Sequence, residues 1–550
     1  MATAPDEFPA PVDPAREFIG PPTDPEDERI EVGVAIVGGG PAGLACAIRL
    51  TQLLEDEPQL AESLGEVPVA LVEKGRGPGS HLLSGGMMEP SAMRKLFPDL
   101  AESDYPTYGT VDRDCVYFMT GRAAVALRPT PPPFRNHGNH VTSVAQLGRF
   151  LAQRAEDAGV YVLGETAATK LLVRDGRTVG VRSGDKGRGR EGEELSNFEP
   201  GADLVARATV LCEGTQGHLA GAAIRHFELG GGDPMQWELG VKEVWEVGEP
   251  LDRIIHTMGW PFRLRAKYGE FGGSFIYPMG EDKVSLGLVA GLDYRDARFS
   301  IHDELQKLKT HPMVGAILKG GKRVAWGAKT LPSGGYWAMP SRLWAPGLAI
   351  CGDSAGMVNV PKLKGIHLAM HAGMFAAEAI VDALRRGDTS DLSGYDERVR
   401  ESVIERDLHR SRNMRQPFSR GFFLGGAIAN AMEVSGGRLP GGRWSTHDDA
   451  TLPVFIGGDR HYPKPDGKLT FDKLSSVFAT GNATRDDAPS HIRVRERVPL
   501  EVALMWQNMC PAQVYEVPEE TVDALDGPDV AKPSPEQLVD VQVTPSNCIQ

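Results

Sequence analysis

Three features of this 550-residue sequence predict an α/β fold in which chain-distant turns close over one dinucleotide. The first is Val34-Ala35-Ile36-Val37-Gly38-Gly39-Gly40-Pro41-Ala42-Gly43, an apolar strand running into Gly-x-Gly-x-x-Gly and then a helix over residues 44–53. The second is Gly347-Leu348-Ala349-Ile350-Cys351-Gly352-Asp353, another strand that ends in a glycine turn. Between them lies the third, Ala208-Thr209-Val210-Leu211-Cys212-Glu213-Gly214.

Each element of the nucleotide unit has a physical reason. Gly38 permits the tight turn, Gly40 lets the backbone approach a pyrophosphate, and Gly43 lets helix and strand pack closely. The positive end of the helix then meets the phosphates. The next strand, residues 69–72, ends at Glu73, where a carboxylate binds the ribose hydroxyls. A lone glycine fingerprint is weak evidence; the strand before it, the helix after it and the acid make the reading a dinucleotide site. The turn at Gly352-Asp353, about 300 residues later, decides for FAD over NAD. Asp353 there would reach the ribityl chain or the pyrophosphate.

A chain of this length can bury a large core in two or three domains. Its net charge of −15 and pI near 5.5 disfavour nucleic acid, which asks for basic stripes. No apolar run reaches the ~18–20 residues of a spanning helix. Residues 1–31 show neither an apolar signal-peptide core nor an arginine-rich amphipathic stretch, which argues against secretion and against a mitochondrial transit peptide on this form of the chain. Cys46, Cys115, Cys212 and Cys351 sit in apolar strand- or helix-like contexts and read as buried free thiols of a reducing compartment. Cys510 and Cys548 fall in loop-like sequence.

Along the chain, residues 1–30 read as a polar, proline-rich arm without fixed structure. A nucleotide domain follows over 31–225 and resumes at 345–420, with a substrate domain of aromatic-rich strands and a short helix near 303–309 inserted at 226–344. Residues 128–133, Arg-Pro-Thr-Pro-Pro-Pro, read as a rigid extended linker. Leu147, Leu151 and Ala155 mark one face of a helix over 144–158; strands follow at 160–163 and 170–173, and an exposed hairpin or loop at 186–194. Ile366, Met370, Met374, Ala377, Val381 and Leu384 give the period of a helix over 365–386. Its positive end, at Lys364 and Gly365, would point at the N1–C2 side of the flavin ring and stabilise negative charge on reduced flavin.

These residues resemble the electron-transfer flavoprotein:ubiquinone oxidoreductase (electron-transferring-flavoprotein dehydrogenase) family. The likeness covers nearly everything after residue 30. It rests on residues 36–50, Ser84-Gly85-Gly86, His256-Thr257-Met258-Gly259-Trp260-Pro261, Gly272-Gly273-Ser274-Phe275, 287–294, 320–323 and 352–367. The blocks Leu469-Thr470-Phe471-Asp472-Lys473-Leu474 and Cys510-Pro511-Ala512-Gln513-Val514-Tyr515-Glu516 are the most specific, since flavin hydroxylases and geranylgeranyl reductases share only the earlier motifs. The resemblance implies a glutathione-reductase-type FAD domain, an inserted α+β quinone-binding domain and a C-terminal ferredoxin-like iron–sulfur domain over 421–550. It also implies one FAD, one 4Fe-4S cluster and a quinone acceptor, fed by electron-transfer flavoprotein. The protein would be a monomer lying peripherally on the cytoplasmic face of a bacterial inner membrane. No general base or nucleophile is expected, because the chemistry belongs to the cofactors. The expected FAD contacts are Gly38, Gly40, Gly43, Glu73, Ser84, Gly85, Gly214, Gly352, Asp353, Lys364 and Gly365.

The family pattern has one cysteine before Pro-Ala-x-Val-Tyr-Glu and then Cys-x-x-Cys-x-x-Cys. Cys510 matches the first and Cys548 the second, and the sequence stops at Ile549-Gln550. Two thiolates cannot satisfy a four-cysteine cluster. Either the sequence is cut short or this member has lost the cluster, and this form is expected to lack a stable one. If the cluster is lost, a non-catalytic flavoprotein partner is the alternative function; a flavin-dependent prenyl reductase or hydroxylase is the other.

Quinone is apolar with two carbonyl oxygens, so its slot needs aliphatic and aromatic walls with one or two donors. His256, Gly259, Trp260, Tyr268, Gly272, Gly273 and Phe275 have that character. Residues 418–429, Phe-Ser-Arg-Gly-Phe-Phe-Leu-Gly-Gly-Ala-Ile-Ala, are too short to span a bilayer. Phe422, Phe423, Leu424 and Ile428 are read as dipping into lipid while Arg410, Arg412, Arg415 and Arg420 meet anionic headgroups.

Overall fold

The computed structural model describes residues 3–8, 12–23, 29–82, 85–215, 217–458, 460–482, 484–526 and 533–549. Ile30–Val37 is buried from Val32 onward, as a strand covered on both faces must be. It pairs in parallel with Val69–Val72 on one side, Val34 opposite Val69, and with Asp203–Leu211 on the other, Val34 opposite Ala208. Leu348–Ile350 lies parallel to the end of that second partner, Thr209 opposite Leu348. The turns at Gly38, Gly214 and Gly352 therefore leave the same edge of adjacent parallel strands, where open α/β sheets bind ligands.

Two helices bring that edge to a point. Pro41–Glu55 starts with proline at its first position, where the missing N–H costs nothing. Ile366–Arg385 is buried almost all round and crosses it. The crossing is so close that a Cβ on Gly373 would lie 2.1 Å from the Ala42 carbonyl oxygen. Val144–Asp157 packs below, its Ser143 side chain accepting the Gln146 N–H and Leu147, Leu151 and Ala155 buried. Strands at Tyr161–Leu163 and Ala168–Arg174 and the hairpin of Lys186–Arg188 with Glu194–Glu199 follow the sequence expectation.

A second sheet of seven strands runs in the order Lys322–Pro332, Trp237–Glu246, Lys283–Gly291, Gly272–Pro278, Ile254–Gly259, Asp114–Met119, Ala124–Ala126. One face is apolar: Leu239, Val241, Ile276, Leu286 and Leu288 join Leu305 and Leu308 of the Ile301–Lys309 helix and Val502, Ala503 and Leu504 of Leu500–Met509 in one buried cluster. The other face carries Gly240, Lys242, Gly273, Phe275 and Gly287, since alternate residues point to opposite sides. That face looks toward the nucleotide domain: Gly85 is close enough that its Cβ would meet Ser285 Oγ at 2.4 Å and Lys242 Nζ at 3.5 Å.

Several sequence expectations need correction. The amino-terminal arm is structured where described: Ile19–Gly20 adds a parallel strand beside Leu171 and Leu172, and the Thr3 N–H reaches Glu501 at 2.6 Å. Polarity hid this because the apolar anchors are few, chiefly Phe18 and Ile19. The boundary at 226 is not clean either, because Asp114–Met119 crosses into the second sheet and pairs with Ile254–Gly259. Cys115, on that strand near the sheet's end, is half-exposed rather than buried, whereas Cys46, Cys212 and Cys351 are buried thiols. Ser84 lies outside the described residues. No described helix is long and apolar enough to cross a membrane.

Substituting Gly373→Val should test the helix crossing. The added atoms collide with backbone rather than a movable side chain, so a loss of about 1–3 kcal/mol is expected. Thermal unfolding should show a lowered Tm together with weaker flavin retention.

Candidate functional site

The cradle is built from the two turns that the helices hold. A Cβ at Gly43 would lie 2.1 Å from the Gly38 carbonyl oxygen, and Gly38 itself has φ +106°. Both positions require glycine. Gly40 and Gly214 differ: none of the described residues lies within 4 Å of a Cβ at either. Glu73 accepts the Gly39 N–H at 2.9 Å and the Gly75 N–H at 2.7 Å. Burial pushes its pKa upward, but the His81 hydrogen bond and these two N–H donors outweigh it and hold the carboxyl below its ordinary value.

Gly352 stands against Ala42 and Ala369, so both helices touch its turn. Burial raises Asp353 to about 6, opposed by Lys329 and Thr215. Its carboxylate comes within 3.8 Å of a Cβ at Gly365, the residue capping Ile366–Arg385. Lys364 is buried, and its Nζ donates to Asn136 Oδ1 at 2.7 Å. Desolvation, with the charge of Lys362, lowers it to about 8. The structure thus gathers Gly38, Gly40, Gly43, Glu73, Gly214, Gly352, Asp353, Lys364 and Gly365 around one edge, with open backbone where a pyrophosphate needs it. These residues fit an FAD.

Across the cleft, His256 Nε2 is 2.9 Å from Tyr277 Oη and its ring lies 5.1 Å from that of Phe134. Burial, with Lys364 nearby, drives its pKa to about 3, so the imidazole is neutral at pH 7. Phe275 stacks on Tyr277 at 4.6 Å and covers Gly287. Gly272, with φ +150°, and Gly273 press on the backbones of Val289 and Thr257. His256, Gly273 and Phe275 share the face toward the nucleotide domain. Gly259 and Trp260 do not join them: Gly259 packs on Met119, and Trp260 turns to His311 at 5.5 Å. Tyr268 stacks toward Phe455 and under Arg263, also away from that face.

Sequence reasoning missed Lys242, Lys329, Asn136 and Ser285. Lys242 is buried on the face toward Gly85, and desolvation alone lowers it to about 7. Lys329 lies opposite Gly240 on the same face and is likewise lowered by burial. The available signal was alternation, because Lys242, two places from Gly240, must lie on the same face as that glycine.

Cys510 Sγ accepts the Ala512 N–H at 3.4 Å, and Lys473 Nζ donates to the Cys510 carbonyl at 2.8 Å. Burial, reinforced by Cys510 and Cys548, raises Tyr515 to about 12. Pairing of Tyr515–Glu516 with Gln542–Val543 brings them together. They offer half of a four-thiolate set, and the other cysteines of this sequence lie elsewhere in the fold. The described residues do not by themselves complete a cluster.

The Phe422–Val434 helix sits on the surface with Phe423 69% and Leu424 52% exposed. Its Gly425 rests on Phe418, and Phe118 of the neighbouring hairpin reaches both Phe422 and Phe423. Arg420 is exposed, but Arg415 is not available to headgroups: it is buried and donates to Asp293 Oδ1 at 2.8 Å. Polar sequence context could not reveal that inward pairing.

A dinucleotide cradle facing an aromatic, glycine-lined slot across a domain interface is the arrangement of a flavoprotein oxidoreductase. The chain belongs to the electron transfer flavoprotein–ubiquinone oxidoreductase family. It matches the model described as "ETF-QO, ubiquinone-binding" over residues 237–331 and the model described as "Electron transfer flavoprotein-ubiquinone oxidoreductase, 4Fe-4S" over 467–529. It is 38% identical over 506 residues to the mitochondrial electron transfer flavoprotein-ubiquinone oxidoreductase of Oryza sativa subsp. japonica, covering 89% of this chain and 85% of that one. With the electron transfer flavoprotein-ubiquinone oxidoreductase of Pseudomonas aeruginosa it shares 37% identity, covering 90% and 91%. Among solved structures, a geranylgeranyl bacteriochlorophyll reductase-like protein from Thermoplasma acidophilum matches with TM-score 0.56 and 17% identity over 75% of this chain and 92% of that one. The flavin-dependent brominase Bmp2 matches with TM-score 0.51 and 15% identity over 74% and 94%. These two speak for the fold alone.

Glu73→Ala should weaken FAD binding about tenfold, near 1.4 kcal/mol, read by fluorescence titration of the apoprotein. Because its pKa is lowered in the fold, the carboxylate's contribution is present above about 4.5 and fades as pH falls through the depressed value. Flavin retention should therefore drop on acidification in the parent and less steeply in the variant.

Proposed function

We propose that this chain is a membrane-peripheral oxidoreductase that takes electrons from reduced electron-transfer flavoprotein and passes them in pairs to membrane quinone. The observation that carries the reading is the junction of the two glycine turns with the Gly273–Phe275 face in one interdomain cleft. Bound FAD supplies the capacity to collect single electrons and release two. The chain's own residues set its position and its charge environment. Glu73 and the open backbone at Gly40 hold the adenosine and pyrophosphate portions, and Asp353 holds the ribityl end. The start of Ile366–Arg385, with Lys364, supports negative charge at the ring. Lys242 and Lys329 add positive potential from the opposite wall, in a medium where burial strengthens every charge.

Quinone enters on the face that carries Gly273, where Phe275 supplies an apolar wall. Neutral His256 offers a hydrogen bond without introducing charge. Cys510 and Cys548 mark the iron–sulfur region, and no step is routed through a cluster of which they supply half. The exposed apolar side of Phe422–Val434, beside Arg420, lays the slot against the bilayer.

Phe275→Ala should raise KM for quinone about tenfold, while flavin content and reduction of ferricenium, a soluble one-electron acceptor, stay unchanged. An unaltered quinone KM would remove this face as the quinone site. Phe422→Glu combined with Phe423→Glu should release the protein from membranes with FAD still bound; unchanged sedimentation with vesicles would remove that helix as the contact.

A further inference from the structure

Quinone reduction consumes protons as well as electrons, and the sheet face that carries Gly273 ends in a group of buried acids. Glu238 lies on that face, two residues before Gly240 and opposite Gly291. Gly291 in turn donates its N–H to the Phe271 carbonyl at 2.9 Å, immediately before Gly272. Glu238 is 4% exposed, and its Oε1 has no hydrogen-bond partner among the described residues. Arg415 stands beside it, Nε 3.9 Å from Oε1, with its guanidinium 4.1 Å over the Phe271 ring. The same guanidinium is already committed to Asp293 at 2.8 Å.

Asp449 completes the group from a separate loop. Its Oδ2 accepts the Trp237 N–H at 2.7 Å and its Oδ1 the Gln236 side-chain amide at 3.4 Å. Ligand-type atoms of Asp293, His447 and Asp449 lie within 4.8 Å of one another. Gln236 Oε1 and His447 Nε2 are both buried without a hydrogen-bond partner among the described residues. Three carboxylates thus share one buried guanidinium. Arg295, exposed, and Asp448, at the loop surface, are the remaining charges that act on His447.

We propose that Glu238, Asp449 and His447, organised by the Arg415–Asp293 pair, form a proton store that supplies the quinone slot. This rests on the quinone reading above. Quinone gains two electrons from the flavin and two protons, one on each carbonyl oxygen, and leaves as quinol. Glu238 releases a proton toward the slot and is re-protonated through Asp449 and His447, which are half-buried. Charge accounting supports the assignment: Arg415 compensates Asp293, leaving Glu238 and Asp449 to be neutral or to repel. Burial, opposed by Arg415 and reinforced by Asp293, raises both to about 7, so each carries a proton below that pH and can give it up above. Glu238 and Asp449 are positioning residues here, since neither is shown touching quinone.

The test compares Glu238→Gln and Asp449→Asn with the parent holoenzyme and with Phe275→Ala. In the parent, quinone turnover should fall as pH rises through about 7. In Glu238→Gln it should be about tenfold lower, with that pH dependence and the solvent deuterium effect lost, quinone KM unchanged and ferricenium reduction intact. Infrared titration should show protonated carboxyl absorption that ionises near neutral pH in the parent, and the parent-minus-variant difference should contain the band of one such carboxyl, that of Glu238. Parallel loss of ferricenium and quinone reduction would make Glu238 merely structural and overturn the proposal. So would an unchanged pH profile, or a stoichiometric divalent metal bound at Asp293, His447 and Asp449. If Phe275→Ala leaves quinone KM unaltered, the quinone reading has failed instead; the infrared band then decides separately whether Glu238 holds a proton.

Discussion

The structure depends on one close crossing, that of the Pro41–Glu55 and Ile366–Arg385 helices, where Gly373 lies against the Ala42 carbonyl. Dispersion and exclusion of water favour such contact, but only glycine lets two helix backbones approach so far. The crossing sets two positive helix ends beside one another at the edge of the parallel sheet. It also presses Gly352 between Ala42 and Ala369, so the second glycine turn cannot move independently of the first. A dinucleotide long enough to need both turns is thereby gripped at two points separated widely in sequence.

The second sheet solves a different problem. Its apolar side is an ordinary core, closed by Ile301–Lys309 and Leu500–Met509. Its other side is lined by glycine, lysine and aromatic residues and would be costly to bury against nothing, because an unpaired amine loses its hydration. The buried charges on the apolar side have partners within the protein: Lys309 contacts both oxygens of Glu243, at 2.8 and 2.9 Å, and Arg460 sits among Glu270, Asp296 and Glu304. Lys242 has no carboxylate partner among the described residues, and desolvation lowers it to about 7.

Much of the nucleotide half was legible because its signals are local. Gly38, Gly40, Gly43 and Glu73 lie within one strand–helix–strand unit; Gly38 and Gly43 answer steric demands of that unit, while Gly40 leaves its backbone uncrowded. The helix near 365–386 was readable from its period, and Gly373 inside it is the one feature whose purpose needed the partner helix. The quinone face was half legible. His256, Gly273 and Phe275 share a face, yet Gly259, at an odd spacing from His256, falls on the other side of the strand, and Trp260 lies beyond the strand's end at Gly259 and turns to His311.

What the sequence by itself determined was the chemistry available: a dinucleotide turn repeated along the chain, a family-specific cysteine block, and an apolar segment too short to span a bilayer. Only the tertiary structure decided which charges would be buried and with whom. Arg415 reads as a headgroup ligand in a basic stretch, but folding places it under Phe271 against Asp293. Glu238 reads as one more acid in a strand, but pairing across Gly291 sets it beside that arginine on the face that carries Gly273. Such contacts join residues more than a hundred positions apart, so no local pattern encodes them. Their strength comes from Coulomb attraction in a low-dielectric interior, set against the cost of desolvation, and neither exists until the chain has closed around them.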